Sequence, residues 1–181
     1  MTKESFIHRL FDTITPGYDC FNRIASLGMD RDWRRRTIES LQLAPGMRVL
    51  DLASGTGDLA VESVLKMLPL GTVVACDLSH PMLRSASGKL GRHPAASWHM
   101  RYAQCRAEQL PFPPAGFNAA TIGFALRNVS SLEKTFQELH RVVRPGGRIA
   151  LLEFGRPRNP LLRLGHWLWL TFVLPPLGLL T

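Results

Sequence analysis

The sequence has few cysteines, and its histidines form no recognisable metal motif. Cys20, Cys76 and Cys105 are the three cysteines, and their odd number, wide spacing and lack of a C-x-x-C pair argue against a disulfide framework. The six histidines lack the spacing of zinc ligands, so no metal site is predicted. The N-terminus carries Glu4 and has no apolar h-region, which excludes a secretory signal peptide. We therefore predict a cytoplasmic protein in a reducing compartment.

Lysine is also scarce, although the chain is strongly basic. Arginine supplies 18 of the 22 basic residues, and the formal net charge is +8. Hydrophobic residues make up 45% and charged residues 20% of the chain, a normal balance for a folded domain. We interpret the charge first as solvated helix surface, with attraction to an anionic phospholipid surface as the alternative. No nucleic-acid-binding motif accompanies the charge, so no nucleic-acid partner is predicted.

Three segments of different character divide the chain. Residues 1–45 are predicted to be helical, because apolar residues recur at helical spacing and a break falls at Thr15-Pro16-Gly17. Residues 46–156 alternate short apolar runs with amphipathic stretches, which predicts strands and helices joined by right-handed crossovers. Residues 157–181 form an apolar C-terminal segment. The expected fold is an α/β, doubly wound, mostly parallel sheet with an N-terminal helical lid.

The hydrophobic periodicity also predicts the bounds of individual elements. The predicted strands cover 48–53, 72–76, 100–105, 117–124 and 148–154. The predicted helices cover 5–11, 19–27, 30–41, 59–67, 81–90 and 131–143. Asp19 is expected to cap the second helix, and Pro145-Gly146-Gly147 to separate the last helix from the last strand.

The C-terminal segment is strongly apolar from Leu161 to Leu180. A membrane-spanning helix needs about 20 predominantly apolar residues without interruption. Arg163, His166 and the Pro175-Pro176 pair interrupt this stretch, so we do not predict a span. A membrane interface and a face packed on protein both fit its aromatic residues, which are Trp167, Trp169 and Phe172.

A glycine loop and two acidic strand ends form the main functional signal. Gly55-Thr56-Gly57 follows the first predicted strand, and glycine there lets the backbone approach a ligand closely. Asp51 lies near the end of that strand, and Asp77 ends the second strand. Open α/β sheets bind ligands at the carboxyl ends of their strands, where a carboxylate can accept hydrogen bonds from ribose hydroxyls. The sequence therefore predicts a nucleoside site.

The same loop matches the dinucleotide-binding pattern G-x-G-x-x-A from Gly55 to Ala60. Two features argue against a dinucleotide. Residues 51–54 separate the strand from the loop, and Asp58 places a carboxylate where a pyrophosphate needs uncompensated backbone N–H groups. A carboxylate repels phosphate and tolerates a cation. S-adenosylmethionine, which carries a sulfonium and an ammonium, therefore fits the loop better.

Longer sequence blocks carry a family resemblance. Residues 49–58 are similar to the first motif of class I S-adenosylmethionine-dependent methyltransferases. More specifically, the chain resembles the ubiquinone/menaquinone biosynthesis C-methyltransferases over nearly its whole length. The matching blocks are Tyr18-Asp19, Asn22, Ser26-Leu27-Gly28-Met29, Trp33-Arg34-Arg35, Ala107-Glu108-Gln109-Leu110-Pro111-Phe112, Phe124-Ala125-Leu126-Arg127-Asn128-Val129, 141–148 and Leu152-Glu153-Phe154.

The resemblance implies positions for the cofactor. Asp77 matches the ribose contact, and the pair Arg106-Ala107 matches the segment that meets the adenine edge. The family often has serine at the position of Gly123 and asparagine at that of Arg106, although backbone groups at Gly123 can still serve. The implied cofactor-binding set is Asp51, Gly55, Thr56, Gly57, Asp77, Arg106, Ala107 and Gly123.

The resemblance also implies that Arg127 and Asn128 face the ring of a quinol. A ring carbon becomes nucleophilic as a neighbouring phenol loses its proton, and methyl transfer is then an in-line displacement that depends on positioning. Arg127 would stabilise the developing phenolate, and Asn128 would fix its orientation. Arginine is a poor proton acceptor because its pKa exceeds about 12. Tyr18, Asp19 or a water molecule is therefore the candidate acceptor.

The sequence stops earlier than the resemblance implies. Class I methyltransferases continue past the fifth strand into an antiparallel strand pair, and that final pair is expected to be missing here. A fifth strand left exposed at the sheet edge favours association. The sequence is expected to be either a fragment of a longer protein or a shortened gene product, and we expect it to be poorly soluble or oligomeric alone, as a homo-oligomer or within a quinone-biosynthesis complex.

Together these features predict S-adenosylmethionine-dependent C-methylation of a polyprenylated quinol precursor. Demethylmenaquinol and 2-polyprenyl-6-methoxy-1,4-benzoquinol are the expected substrates. The lipid tail of such a substrate favours a peripheral contact at the inner face of the membrane. Two alternatives stay open, namely a catalytically silent, cofactor-binding scaffold in a quinone-assembly complex and an NAD-dependent dehydrogenase.

Overall fold

The computed structural model describes residues 11–91, 97–155 and 158–173. At its centre lies a five-stranded sheet in which all paired strands are parallel. The strands are β1 (Arg48–Leu52), β2 (Thr72–Asp77), β3 (Met100–Gln104), β4 (Phe117–Gly123) and β5 (Val143–Leu152). Their order across the sheet is β3-β2-β1-β4-β5.

Helices cover both faces of this sheet, as parallel strands require. In β1, Val49 belongs to the core on one face and Leu50 to the core on the other, so successive side chains are buried on opposite sides. The second, third and fourth helices contribute to the first core, and the fifth to the second core. The helices are α1 (Tyr18–Ala25), α2 (Asp30–Ser40), α3 (Asp58–Met67), α4 (His80–Leu90), α5 (Leu132–Val142) and α6 (Pro160–Leu168).

The strand order creates a crevice between β1 and β4. The chain passes from β1 outward through β2 to β3, then returns to the other side of β1 for β4 and β5. Ligands bind at such a reversal point, beyond the carboxyl ends of the strands. Ala53 and Phe124, which follow β1 and β4, have φ values of 51° and 55°. Non-glycine residues seldom adopt this left-handed conformation, and it concentrates at functional sites.

The predicted doubly wound α/β architecture is confirmed, and most element bounds agree with the sequence pattern. One boundary prediction was wrong, because β5 begins at Val143, directly after α5. Phe117 pairs with Val143 and Ala119 with Arg148, so residues 144–147 form a bulge. Such a bulge absorbs extra residues within a strand, and Gly146 supplies the positive φ of 75° there. Pro145-Gly146-Gly147 therefore lies inside β5.

The N-terminal helices cover the sheet edge that carries the crevice. Apart from Phe11, the helix predicted over residues 5–11 lies outside the described residues, and a short 3₁₀ turn at Thr15–Gly17 precedes α1. Asp19 was predicted as a helix cap, but α1 begins one residue earlier, at Tyr18. Its carboxylate instead accepts a hydrogen bond from Thr56, which lies in the glycine loop.

Beyond β5, the described residues contain α6 and a π-helical turn at Trp169–Val173, and no further strand. The indole Nε1 of Trp169 donates to the carbonyl of Ala25, which joins this segment to the end of α1. Within the described part of the chain, none of the helices is long and apolar enough to cross a membrane. Residues 174–181, in the predicted apolar segment, lie outside the described residues.

Candidate active site

A cleft opens at the carboxyl ends of β1 to β4. Its empty volume is about 830 Å³, including open solvent at the mouth, which is within the usual range of about 300–1,000 Å³ for a small-molecule site. The walls are mainly apolar, with a few polar groups that converge on one side. The predicted site residues that line it are Tyr18, Gly55, Asp77, Arg106, Ala107, Gly123 and Asn128.

Asp77 is held in place by the backbone on either side of the cleft. Its Oδ2 accepts a hydrogen bond from the Gly55 amide at 2.8 Å, and its Oδ1 accepts one from the Ser79 amide at 2.9 Å. A carboxylate has about four acceptor positions, so these two bonds orient Asp77 without saturating it. The arrangement suits a carboxylate that accepts hydrogen bonds from ribose hydroxyls.

The two loop glycines, and Gly123 at the end of β4, are constrained for different reasons. Gly57 has φ of 79°, and a Cβ at this position would lie 2.7 Å from the Cβ of Ala86. Gly55 has φ of 55°, and a Cβ there would meet nothing within 4 Å. At Gly123 a Cβ would lie 2.7 Å from Cδ1 of Leu59, so the serine common in the family would require Leu59 to move.

Asp51 and Ser54 both line a smaller cavity beside the glycine loop, which has an empty volume of about 380 Å³. Asp51 Oδ1 accepts a hydrogen bond from the Thr121 hydroxyl at 2.6 Å. Asp51 Oδ2 and Ser54 Oγ are buried without a hydrogen-bond partner among the described residues. Burial raises the pKa of Asp51 to about 7, although the Thr121 hydroxyl and the Ala60 backbone N–H, which points toward the carboxylate, oppose the rise.

These unpartnered atoms fit a cationic ligand. A buried polar oxygen without a partner is costly, so Asp51 Oδ2 and Ser54 Oγ favour a ligand that brings hydrogen-bond donors. A positive charge nearby would also favour the ionised form of Asp51. The ammonium of S-adenosylmethionine supplies both properties, and Asp51, the loop at 55–57 and Asp77 are the residues that would hold this cofactor.

Thr56 and Asp19 lie together, but neither lines the larger cleft. The Thr56 hydroxyl donates to Asp19 Oδ1 at 2.5 Å and accepts from Lys89 Nζ at 2.9 Å. Asp19 Oδ2 lies 2.7 Å from the same Lys89 Nζ. Thr56, which was predicted to contact the cofactor, lines the smaller cavity, and its hydroxyl contacts these two side chains. Lys89 was not predicted from the sequence, because no local pattern shows that it reaches the loop.

Arg127 lies outside the cleft lining, beside Asn128, which is part of it. The Arg127 Nη1 is 3.5 Å from Glu153 Oε2, and its guanidinium lies 5.5 Å from the ring centre of Phe154. Glu153 Oε1 also accepts a hydrogen bond from the Leu126 amide at 2.8 Å. Glu153 therefore fixes the turn that carries Arg127 and Asn128. The sequence showed Glu153 only as part of a matching block, without a role.

Tyr18 lines the cleft from the N-terminal side. Burial raises the pKa of its phenol, while a hydrogen bond with Asn22 and the positive charges of Arg34 and Arg127 oppose the rise. The phenol is therefore protonated near neutral pH. A protonated phenol donates a hydrogen bond and does not accept a proton, so this environment favours an orienting role for Tyr18.

The far end of the cleft is built by the segment after β3. Arg106 and Ala107 line it together with Cys105, which also packs against the second core. The Arg106 Nε lies 3.9 Å from Glu108 Oε2, and Glu108 Oε1 accepts the Ser130 amide at 2.5 Å. The predicted adenine-edge segment is thus tied to Ser130, shortly after the turn that carries Arg127 and Asn128.

Comparison with known proteins agrees with this geometry. The model of the ubiE/COQ5 methyltransferase family matches residues 1–181. The chain belongs to this family. It is 40% identical over 174 residues to the demethylmenaquinone methyltransferase of Roseiflexus sp. (strain RS-1), covering 96% of this chain and 70% of that protein. It is 37% identical to the ubiquinone/menaquinone biosynthesis C-methyltransferase UbiE of Hahella chejuensis, with 97% and 70% coverage.

Solved structures support the fold of this ubiE/COQ5 family member. The YcgJ protein of Bacillus subtilis matches with a TM-score of 0.63 and 26% identity, covering 72% of this chain and 54% of that chain. A SAM dependent methyltransferase from Aquifex aeolicus matches with a TM-score of 0.62 and 20% identity, covering 70% and 66%. The class I methyltransferase fold is confirmed, and S-adenosylmethionine is the cofactor. Family membership excludes the NAD-dependent dehydrogenase.

We predict that Asp51→Asn stabilises the cofactor-free chain above neutral pH but weakens cofactor binding. The pKa of Asp51 is raised from 3.8 to about 7 on folding, so its contribution to stability is present below pH 3.8 and is lost as pH rises through 7. The neutral amide avoids this loss. In thermal unfolding at pH 8, the variant should melt roughly 10 °C above the parent chain.

The pH dependence of the melting temperature tests whether Asp51→Asn is stabilising for this reason. The difference in melting temperature should grow from pH 5 to pH 8, while S-adenosylmethionine binding at pH 8 weakens by about tenfold. Asp32→Asn is the matched control, because Asp32 is an exposed carboxylate on α2 whose pKa is lowered by its hydrogen bond with Arg35. The difference in melting temperature between Asp32→Asn and the parent chain should be constant from pH 5 to pH 8. An equally constant difference for Asp51→Asn would refute the assignment of the raised pKa to Asp51.

Proposed function

We propose that the chain catalyses C-methylation of the ring of a polyprenylated quinol. The observation that carries the proposal is the cleft in which Asp77, the 106–107 segment and Gly123 lie together with Asn128, the neighbour of Arg127. Relatives named demethylmenaquinone methyltransferase and ubiquinone/menaquinone biosynthesis C-methyltransferase support a quinol as the acceptor. Demethylmenaquinol and 2-polyprenyl-6-methoxy-1,4-benzoquinol are the proposed substrates.

The chain contributes binding, orientation and electrostatic stabilisation to this reaction. S-adenosylmethionine supplies an electrophilic methyl group when it is bound. Asp77 holds the ribose side of the site, Asp51 provides the negative charge for the amino-acid side, and the 106–107 segment lies at the adenine edge. We assign Arg127 the stabilisation of the developing phenolate and Asn128 its orientation.

The proton acceptor follows from the surroundings of the two candidate side chains. Tyr18 is buried, and its raised pKa keeps the phenol protonated. Asp19 is engaged by Thr56 and Lys89, and it does not line the cleft. We therefore propose that a water molecule accepts the phenol proton, with Tyr18 as an orienting donor.

Sequential binding and turnover measurements test the proposal. Calorimetric titration with S-adenosylmethionine should show saturable binding, and addition of a demethylated quinol should then give the ring-methylated product. Binding without methyl transfer would favour the catalytically silent scaffold. Uptake of NAD in place of S-adenosylmethionine would contradict both interpretations.

We also propose that α6 and the following turn contact a membrane surface. Leu161, Leu164, Trp167 and Phe172 are all exposed, with Leu161 at 79% of its full accessible area. Arg163 is exposed on the same helix, and the formal charge of the chain is +8. A surface that combines apolar and basic side chains suits an anionic bilayer. Such a contact would bring the cleft close to a lipid substrate.

Vesicle binding tests this contact. The chain is expected to sediment with phosphatidylglycerol vesicles, and the double change Trp167→Ser with Phe172→Ser should reduce the bound fraction by about fivefold. Trp98→Ser is the matched control, because Trp98 is 78% exposed and precedes β3. Equal binding by both variants would contradict the proposal.

We propose in addition that β5 promotes self-association. Its strand is at the edge of the described sheet, and Ile149 and Leu151 are 40% and 46% exposed. An exposed apolar edge strand offers unpaired backbone groups to another chain. Size-exclusion chromatography should show oligomers at high protein concentration, and a clean monomer would contradict this expectation.

A further inference from the structure

Lys89, near the end of α4, connects three separate segments of the chain. Its Nζ lies 2.7 Å from Asp19 Oδ2 and 2.9 Å from Thr56 Oγ1, and it also pairs with Asp58 Oδ1. An ammonium group has three N–H donors and no acceptor. These three contacts therefore use its full hydrogen-bonding capacity. The acceptors belong to α1, to the glycine loop and to the first residue of α3.

Thr56 closes this arrangement into a ring of contacts. Thr56 as a whole is only 3% exposed. Its hydroxyl accepts a hydrogen bond from Lys89 Nζ and donates one to Asp19 Oδ1 at 2.5 Å. A hydroxyl has a single donor, so that donor is committed to the protein. The Thr56 side chain consequently fixes the loop against α1, and it does so only while Lys89 and Asp19 hold their positions.

A buried cation, Arg34, extends the same network. Arg34 is 8% exposed, pairs with Asp58 Oδ2 at 3.2 Å and also pairs with Asp30. Asp30 lies 3.2 Å from Arg23 as well. The three carboxylates of the network, Asp19, Asp30 and Asp58, are thus matched by three cations. Removal of Lys89 would take a counter-charge from Asp19 and from Asp58, of which Asp58 would keep its pair with Arg34.

We propose that Lys89 is a positioning residue for the binding of the methyl donor. It holds α1 against the glycine loop, and through Thr56 and Asp58 it fixes the loop conformation that binds the cofactor. Lys89 lines neither of the two cavities described above, so its effect is transmitted by these contacts. The inference depends on S-adenosylmethionine as the cofactor, and it does not depend on which quinol is methylated.

The first test replaces the ammonium and keeps the aliphatic stem. In calorimetric titration, Lys89→Met should raise the dissociation constant for S-adenosylmethionine about tenfold, with less than about twofold change in kcat at saturating cofactor. Lys89→Arg, which keeps the charge and several donors, should stay within about threefold of the parent value. Lys66→Met is the matched control on α3, since Lys66 is exposed, and should leave binding unchanged.

A double-mutant cycle separates positioning from a general loss of structure. Asp19→Asn should weaken S-adenosylmethionine binding by itself, and in the Lys89→Met background it should add less than about twofold, because both changes remove the same contact. Full additivity of the two effects, or a Lys89→Met dissociation constant equal to that of the parent, would overturn the proposal.

Two further outcomes are also decisive. If Lys89→Met does not fold, Asp19→Asn tests the contact alone, because it keeps the Lys89–Asp58 pair, and unchanged binding in that variant refutes the inference. A parent chain that binds S-adenosylmethionine and methylates no quinol would overturn the proposed substrate only. The dissociation constants for the cofactor would still support or refute the role of Lys89.

Discussion

Asp77→Ala is expected to raise the dissociation constant for S-adenosylmethionine by about 100-fold while the sheet stays folded. Two losses contribute. The change removes the acceptors for the ribose hydroxyls, and it also releases the Gly55 amide, which donates to Asp77 at 2.8 Å. The Ser79 amide at 2.9 Å loses its acceptor at the same time. Calorimetric titration of the cofactor measures the change directly.

Two variants show whether the effect belongs to the carboxylate at this position. Asp77→Asn keeps the side-chain volume and one acceptor oxygen, so its loss of affinity should be intermediate, about tenfold. Asp32→Ala removes an exposed carboxylate that pairs with Arg35 and Arg36, and it should leave binding unchanged. Circular dichroism and thermal unfolding establish that each variant is folded. Unaltered affinity in folded Asp77→Ala would show that the ribose assignment is wrong.

Arg127→Ala is expected to reduce turnover about 100- to 1,000-fold and to leave cofactor affinity nearly unchanged, whereas Asp77→Ala acts on cofactor affinity. The reason is that its guanidinium contacts Glu153 and Phe154 and lies outside the cavity wall formed by the glycine loop and Asp77. Its charge is needed only when negative charge develops on the phenol. Initial rates of quinol methylation and calorimetric cofactor titration separate the two quantities.

The lysine variant at position 127 distinguishes charge from geometry. Arg127→Lys keeps the positive charge but loses the planar, multi-donor guanidinium, so its turnover should lie between that of Arg127→Ala and that of the parent chain. Glu153→Gln should lower turnover by a smaller factor, because Glu153 holds the Leu126 amide and the Arg127 side chain. A loss of cofactor affinity as large as the loss of turnover would contradict the separation of these roles.

The periodicity of the sequence was sufficient to predict the order and type of the elements in the sheet. Strands β1, β2 and β4 are short, mainly apolar runs, and all four strands β1 to β4 were located within one or two residues. The prediction was wrong at the start of β5, where Pro145-Gly146-Gly147 was interpreted as a break between elements. Whether such residues form a turn or a bulge depends on the neighbouring strand, and β4 provides the pairing partner here.

The candidate site was predictable where its residues are adjacent to strand ends. Asp51 and Asp77 lie at the carboxyl ends of β1 and β2, and the glycine loop comes shortly after β1, so the topology of a parallel sheet is enough to bring them together. Lys89 and Glu153 belong to the site region as well, but each lies more than 20 residues away from the loop or turn that it holds. Contacts of this kind have no local pattern.

The sequence by itself determined the parallel α/β fold and the family, because these depend on hydrophobic periodicity and on the motif blocks, and it predicted a cofactor site from residues at strand ends. Only the tertiary structure decided which charges face one another. It showed that Asp19 and Thr56 bind Lys89, and that Asp51 is buried with a raised pKa. Electrostatic interactions depend on distance and burial in space, and spacing along the chain specifies neither of them.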